Sequence, residues 1–63
     1  MLEDNKKQFL SVSELSTFLN ISKITVYRLV ETRKIVFYKI GGSIRFNKKD
    51  VLDYLEASKI NII

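Results

Sequence analysis

The sequence predicts a small, mainly α-helical domain of three helices, with one β-hairpin between the second and the third. Three observations predict it: a helix-start signal occurs three times, only three residues separate the first helix from the N-cap of the second, and the hydrophobic period becomes alternating at 35–46. The length of 63 residues leaves room for one domain. We expect this domain at 9–57, a flexible arm at 1–8 and an isoleucine-rich tail at 58–63.

The composition excludes several functional classes. The chain has no Cys and no His, which excludes disulfides, thiolate or imidazole metal sites, Cys nucleophiles and His general bases. We therefore expect no enzyme, no metal and no cofactor. No apolar run approaches the roughly 20 residues that cross a bilayer, and the polar N-terminus lacks the apolar segment of a secretory signal. We expect a cytoplasmic protein with no membrane partner.

The first helix is predicted over 12–18. Ser11 precedes it as N-cap, and Glu14 follows three residues later, which is the spacing of a capping box. Asn20 suits a left-handed position after the helix. Its predicted buried stripe consists of Val12, Leu15, Phe18 and Leu19.

The second helix is predicted over 23–32, with Ser22 as its N-cap. Only residues 19–21 separate this cap from the first helix, and so tight a link between short helices is typical of a helix-turn-helix. The predicted apolar side consists of Val26, Leu29 and Val30, with Tyr27 at its margin.

The other side of the second helix suits the major groove of DNA. It consists of Lys23, Ile24, Thr25 and Arg28. An arginine can bridge guanine, a threonine hydroxyl can donate or accept, and an aliphatic side chain can meet a thymine methyl group. The alternative is an ordinary solvated face with Ile24 in the core.

Residues 35–46 alternate around Gly41-Gly42 and predict a hairpin. A two-residue loop would pair Lys39 with Ile44 and mix polar with apolar side chains on one face. A three-residue loop at 41–43 would pair Ile40 with Ile44 and Tyr38 with Phe46. We prefer the longer loop because it gives one uniformly apolar face. It also places Lys39 opposite Arg45, a repulsive pair that a bound phosphate would convert into two favourable contacts.

The third helix is predicted over 48–57, with Asn47 as N-cap and Asp50 in its first turn. Its predicted apolar face consists of Val51, Leu52, Tyr54 and Leu55. Cations are unfavourable in a first turn, and Lys48 and Lys49 are therefore expected to contact phosphate. The tail after this helix is open to three interpretations: it covers the core, adds a strand, or joins two subunits.

Charge is concentrated in the middle of the chain. Residues 23–49 contain eight basic side chains against Glu31 alone, which gives +7, whereas both flanks are mildly acidic. The basic residues are Lys23, Arg28, Arg33, Lys34, Lys39, Arg45, Lys48 and Lys49. This distribution indicates a polyanionic partner at one surface.

The stretch from residue 9 to residue 55 resembles the excisionase-family DNA-binding domain, a MerR-like winged helix-turn-helix. The matching motifs are FLSVSEL at 9–15, ISKITVYRLV at 21–30, KIGGSIRF at 39–46 and KDVLDYL at 49–55. Where the family commonly has a Gly after the second helix and a Pro opening the hairpin, this sequence has Arg33 and Val36.

The resemblance implies double-stranded DNA as partner, with the second helix in the major groove and the hairpin acting as a wing on the backbone or minor groove. Base contacts are expected from Thr25, Arg28 and Ile24. Backbone and wing contacts are expected from Lys23, Lys39, Gly42, Ser43, Arg45, Lys48, Lys49, Arg33 and Lys34.

Two roles follow for such a domain. An excisionase is a recombination directionality factor, which coats repeated sites, bends the duplex and steers an integrase towards excision. A small transcription regulator would use the same binding mode near a promoter, and a second copy of the chain is a further possible partner. The third interpretation is a protein-interaction module that uses the second helix and the tail.

Overall fold

The computed structural model describes residues 8–60, which form three helices and a three-stranded antiparallel sheet. The elements are, in chain order, β1 (Phe9–Leu10), α1 (Val12–Leu19), α2 (Lys23–Glu31), β2 (Tyr38–Ile40), β3 (Ser43–Asn47) and α3 (Lys48–Ser58). The sheet order is β1-β3-β2, so that β3 lies in the centre. This is a small winged helix-turn-helix, which confirms the predicted fold class and adds β1, a strand that the sequence analysis did not include.

Parts of the predicted arm and tail, residues 1–7 and 61–63, lie outside the described residues. Gln8 is tied to the domain, because its carbonyl oxygen accepts a 2.8 Å hydrogen bond from the Lys48 N–H. At the other end, α3 extends to Ser58 and the side chain of Ile60 is 84% exposed.

All three predicted N-caps are confirmed. The Glu14 N–H donates to Ser11 Oγ over 3.1 Å, and the Ser11 N–H donates to Glu14 Oε1 over 2.9 Å, which completes the capping box. Ser22 Oγ accepts from the third N–H of α2, and Asn47 Oδ1 accepts from the second N–H of α3. The predicted helix ends differ from the observed ends by one residue each.

Both helices of the helix-turn-helix end in the same backbone motif. After α1, Asn20 is left-handed at φ 58° as predicted, and the Ile21 N–H reaches back to the Ser16 carbonyl over 3.0 Å. After α2, Arg33 takes φ 57°, and the Lys34 N–H reaches the Leu29 carbonyl over 2.9 Å. These are Schellman ends, which satisfy carbonyls that a helix terminus leaves free.

The core lies where α1, α2 and α3 meet β1 and β3. Its most completely buried large side chains are Phe46, Leu15, Val26 and Val51, one from β3 and one from each helix. Burying such a side chain contributes about 1.5–3 kcal/mol. Because every helix contributes one, the core fixes the orientation of α2 relative to the sheet.

Three predicted core positions are wrong. Phe18 is 54% exposed, Leu52 57% and Leu55 39%. In α1, the buried residues Val12, Leu15 and Ser16 define the stripe that faces the core. At 100° per residue, Phe18 lies about 110° around the helix from the centre of this stripe and is therefore outside it. In α3, only Val51 is buried and Tyr54 is half-buried, because one narrow stripe of this helix faces the sheet.

The predicted three-residue loop is also wrong. The observed pairs are Tyr38 with Arg45, Lys39 with Ile44, and Ile40 with Ser43, which leaves Gly41 and Gly42 as a two-residue loop. Both glycines have positive φ, 57° and 84°, as a type I′ turn requires. Its twist matches that of the flanking strands, and this local geometry outweighs the mixed polarity of the resulting faces.

The register separates Lys39 from Arg45. Lys39 shares a face with Ile44, whereas Arg45 lies opposite Tyr38 on the outer face of the sheet. The predicted repulsive pair with a phosphate between its members is therefore wrong. On the outer face the Tyr38 ring packs edge-on against Phe9 of β1, with ring centroids 5.5 Å apart.

Candidate nucleic-acid interface

Helix α2 presents a continuous exposed face on the side opposite the core. Val26 and Val30 anchor the buried side, and half a turn away Ile24 is 70% exposed. Arg28 is also exposed and lies one turn beyond Ile24. The alternative that placed Ile24 in the core is therefore wrong, and an aliphatic and a guanidinium side chain are displayed together.

Thr25 lies on the flank of this face rather than at its centre. The residue is half-buried, and its hydroxyl is 2.9 Å from Ser22 Oγ, the cap of the same helix. A hydroxyl has one donor and two acceptor sites, so this bond leaves capacity for a second partner. The hydroxyl is thereby held in one orientation at the start of α2.

A cleft separates α2 from the hairpin and is bordered by cationic residues on both sides. From α2 it is lined by Lys23 and Tyr27, and from the hairpin by residues 42–45, which include Arg45. Residues 11–13 at the start of α1 close its third side. The predicted contacts Lys23, Gly42, Ser43 and Arg45 therefore border one space, although up to 22 positions separate them in the chain.

The Arg45 side chain is partly ordered within this cleft. Its Nη1 donates a 2.8 Å hydrogen bond to the Ile44 carbonyl, and the residue is half-buried. A guanidinium has five N–H donors, so most of them remain available to an anion. The bend of the side chain back onto the hairpin places the charge beside the cleft, with less conformational freedom to lose on binding.

A second cleft lies between the end of α2 and the hairpin, and Ile44 lines both clefts. Arg33, Phe37 and Lys39 line it, together with Glu31. The Arg33 guanidinium carbon lies 5.6 Å from the centroid of the Phe37 ring, a cation–π distance. Arg33 and Lys39 thus contribute positive charge beside the hairpin, in a different cleft from Lys23 and Arg45.

The remaining predicted contacts are not part of either cleft. Lys34 is exposed and follows the left-handed Arg33. Lys48 and Lys49 begin α3, where their backbone N–H groups bond Gln8 and Asn47 respectively. The structure therefore groups Lys23 with Arg45 and Arg33 with Lys39, and leaves these three lysines apart.

Sequence reasoning missed Tyr27 as a residue of the interface. Its side chain is 47% exposed and lines the cleft with Lys23, one helical turn before it. The spacing of four from Lys23 was a usable signal, since residues four apart share a helix face. Tyrosine offers a ring and a hydroxyl that both suit a nucleic-acid backbone.

Two further properties of residues 8–60 concern metal-ligand groups and membrane-spanning helices. Within residues 8–60, no three His, Cys, Asp or Glu side chains are grouped as metal ligands would be. Across the same residues, none of the helices combines the length and the apolar character needed to cross a membrane.

The fold and the basic surface define the class of the protein as a winged helix-turn-helix that binds DNA. A family described as "Helix-turn-helix domain" matches residues 9–59, and the chain belongs to this family. The match covers every element from β1 to α3.

Two curated relatives come from Mycobacterium tuberculosis. They are named "Putative DNA-binding protein MT0521" in strain CDC 1551 / Oshkosh and "Putative DNA-binding protein Rv0500A" in strain ATCC 25618 / H37Rv. Each is 42% identical to this chain over 53 residues, which cover 84% of this chain and 68% of the relative. No solved structure is significantly similar to the chain.

Proposed function

We propose that this protein binds double-stranded DNA sequence-specifically in the manner of an excisionase and acts by binding rather than catalysis. In this proposal α2 enters the major groove, while the β2–β3 wing lies on the adjacent backbone or minor groove. The observation that carries the proposal is the cleft that Lys23 and Tyr27 share with Arg45. A cationic helix and a cationic wing that border one space can contact neighbouring grooves of a single duplex.

Sequence choice is assigned to the exposed face of α2. Arg28 reads guanine through two parallel hydrogen bonds, and Ile24 contacts a thymine methyl group. Thr25 contributes from the flank, with its hydroxyl oriented by Ser22. These side chains lie within the first two turns of the helix, where helix-turn-helix proteins contact base edges.

Affinity is assigned to the surrounding cations and to the wing. Lys23 and Arg45 hold phosphates beside the shared cleft, and Arg33 and Lys39 hold phosphates beside the second cleft. The other proposed backbone contacts are Lys34, Lys48, Lys49, Gly42 and Ser43. Such contacts fix the register of the protein on the duplex and the strength of binding, but they do not distinguish one DNA sequence from another.

The proposed biological role is that of a recombination directionality factor, with an integrase or recombinase as protein partner. One module of this size buries little DNA, so specificity requires repeated sites or a second copy of the chain. The other candidate is a small transcription regulator, which the names of the relatives favour to the same degree because they state DNA binding alone.

The two roles differ in the geometry of the DNA complex. An excisionase coats several adjacent sites and bends the duplex, whereas a regulator needs one or two sites. Site selection from a random duplex pool, followed by a circular-permutation gel shift, measures both the repeat number and the bend. Repeated sites with a strong bend support the recombination role, and a single unbent site supports the regulator.

DNA binding itself is tested by its salt dependence. If about five phosphates are neutralised, log affinity falls with log salt at a slope of roughly −4 to −5. We expect Arg45→Ala to weaken all duplexes alike and to reduce this slope by about one unit. The matched control is Lys59→Ala at the end of α3, where the cation is exposed 4.0 Å from Glu56 and lines neither cleft.

Two results would contradict the assignment. A slope unchanged in Arg45→Ala would remove the wing from the interface. A flat salt dependence in the wild type would favour the protein-interaction module, in which α2 and the tail contact another protein.

A further inference from the structure

Glu31 is the one acidic residue among positions 23–49, and it ends α2. The side chain is exposed. At 100° per residue it lies on the same stripe as Ile24 and Arg28, seven and three positions earlier. A carboxylate therefore continues the face that is assigned above to base recognition.

This position is unfavourable for a carboxylate on two grounds. The C-terminus of a helix carries partial negative charge, which repels an anion there. The surrounding surface is cationic and is proposed to approach phosphates, which also repel Glu31. Within residues 8–60 the Glu31 carboxylate makes no ion pair or hydrogen bond that would compensate, although Arg33 and Lys39 line the same cleft.

The major groove offers a carboxylate one well-matched partner. Guanine and thymine present acceptor atoms, which repel it, and adenine places an acceptor beside its amino group. Cytosine presents only the N4 amino donor, and glutamate is a recognised acceptor for it. A negative charge that weakens backbone binding thus becomes favourable at one base.

Spacing decides which base pair is involved. Arg28 and Glu31 are three residues apart, a rise of about 4.5 Å along the helix axis. Successive bases on one strand rise by about 3.4 Å. A helix lying along the groove therefore places Glu31 within one or two base pairs of the pair that Arg28 contacts.

We infer that Glu31 is a specificity-determining residue that selects a cytosine within one or two base pairs of the guanine read by Arg28. This inference rests on the proposed function, since it requires that α2 lie in the major groove. It extends the recognition face to the last residue of α2 and gives the lone acid of the basic segment a direct contact.

The test is site selection from a random duplex pool with wild type, Glu31→Gln and Glu31→Ala. We expect the wild type to prefer cytosine at one position by roughly ten- to hundredfold. Glutamine pairs with adenine, so Glu31→Gln should move the preference towards adenine, and Glu31→Ala should abolish it. Glu56→Gln, an exposed glutamate on α3, is the matched control and should leave the selected site unchanged.

Two outcomes overturn the inference while leaving DNA binding intact. Both Glu31 variants could bind all duplexes more tightly with the selected site unchanged, which would make Glu31 a repulsive charge only. Alternatively, neither variant could differ from wild type. Failure of the wild type to bind any duplex would instead overturn the proposed function. Thermal unfolding of both variants checks that they fold. Because the Glu31 carboxylate lies at the C-terminus of α2, its removal is expected to leave the unfolding temperature unchanged or higher.

Discussion

Helices α1 and α2 are neighbours of nearly equal length, yet their sequences meet different demands. Both begin at a serine cap and both end in a Schellman motif. In α1 the third helical residue is Glu14, which completes a capping box, whereas the equivalent residue of α2 is Thr25. Helix α2 also begins with Lys23 and ends with Glu31, both opposed to its dipole.

The difference shows which helix is selected for stability and which for its exposed surface. The capping box and the acidic first turn of α1 favour the helix, and its buried stripe holds it in the core. Helix α2 depends on Val26 and Val30 for its position and keeps unfavourable charges at both ends. Preferences for helix caps and for charges at helix ends that one helix follows and its neighbour does not indicate a functional surface on the second helix.

The largest expected effect concerns the helix selected for stability. Leu15→Ala removes a fully buried side chain of α1 and should destabilise the fold by about 2–5 kcal/mol. In a domain of this size that loss approaches the whole free energy of unfolding. Urea unfolding followed by circular dichroism measures it, with Phe18→Ala on the exposed side of α1 as control. Equal losses for both variants would contradict the observed burial.

The intermediate effect concerns the surface of α2. Arg28→Ala should cost about 1–3 kcal/mol of binding on the best site and relax sequence choice there. Because Arg28 is exposed, the free energy of unfolding should change by less than about 0.5 kcal/mol. Gel shifts on the selected site and on random duplex measure the binding terms. Equal losses on both duplexes would show that Arg28 contacts backbone only.

The smallest expected effect on stability comes from changing the third helical residue of α1 and of α2 in opposite directions. Thr25→Gln gives α2 the side chain that a capping box needs and should stabilise the fold by about 0.5 kcal/mol, while weakening DNA binding. Glu14→Thr makes α1 resemble α2 and should destabilise by a similar amount. Thermal melts of both variants test the pair, and the comparison of the helices fails if the two shifts have the same sign.

Local signals made the helices predictable from the sequence. Ser11, Ser22 and Asn47 each bond within three residues, so their roles can be interpreted without knowledge of the fold. Asn20 is equally local, since few residues other than Gly adopt its left-handed backbone readily. These signals gave each helix end to within one residue.

The register of the wing was harder to predict because the polarity of its side chains does not follow their burial. All three residues of β2 are exposed, so the alternation used to choose the register did not correspond to a buried face. The backbone preference of Gly41-Gly42 was the better signal. Strand β1 is only two residues long, too short to show a period of two.

The candidate site depends on long-range contacts that periodicity does not contain. The resemblance implied DNA contacts from both Lys23 and Arg45, but the residues alone gave no distance between them. Tyr27 had the right spacing on α2 and was interpreted as a margin of the core. Its place in the cleft follows from the wing that packs across from it.

The turn at Gly41-Gly42 makes the tip of the wing a site that evolution and engineering can modify independently. A Cβ added at either glycine would meet no heavy atom within 4 Å. Glycine is therefore favoured at this turn by the positive φ angles and not by a lack of space. Asn-Gly, which satisfies the same torsions, should therefore replace the pair without disturbing the scaffold. New tips grafted at this position can vary what the wing touches while the core that orients α2 stays the same.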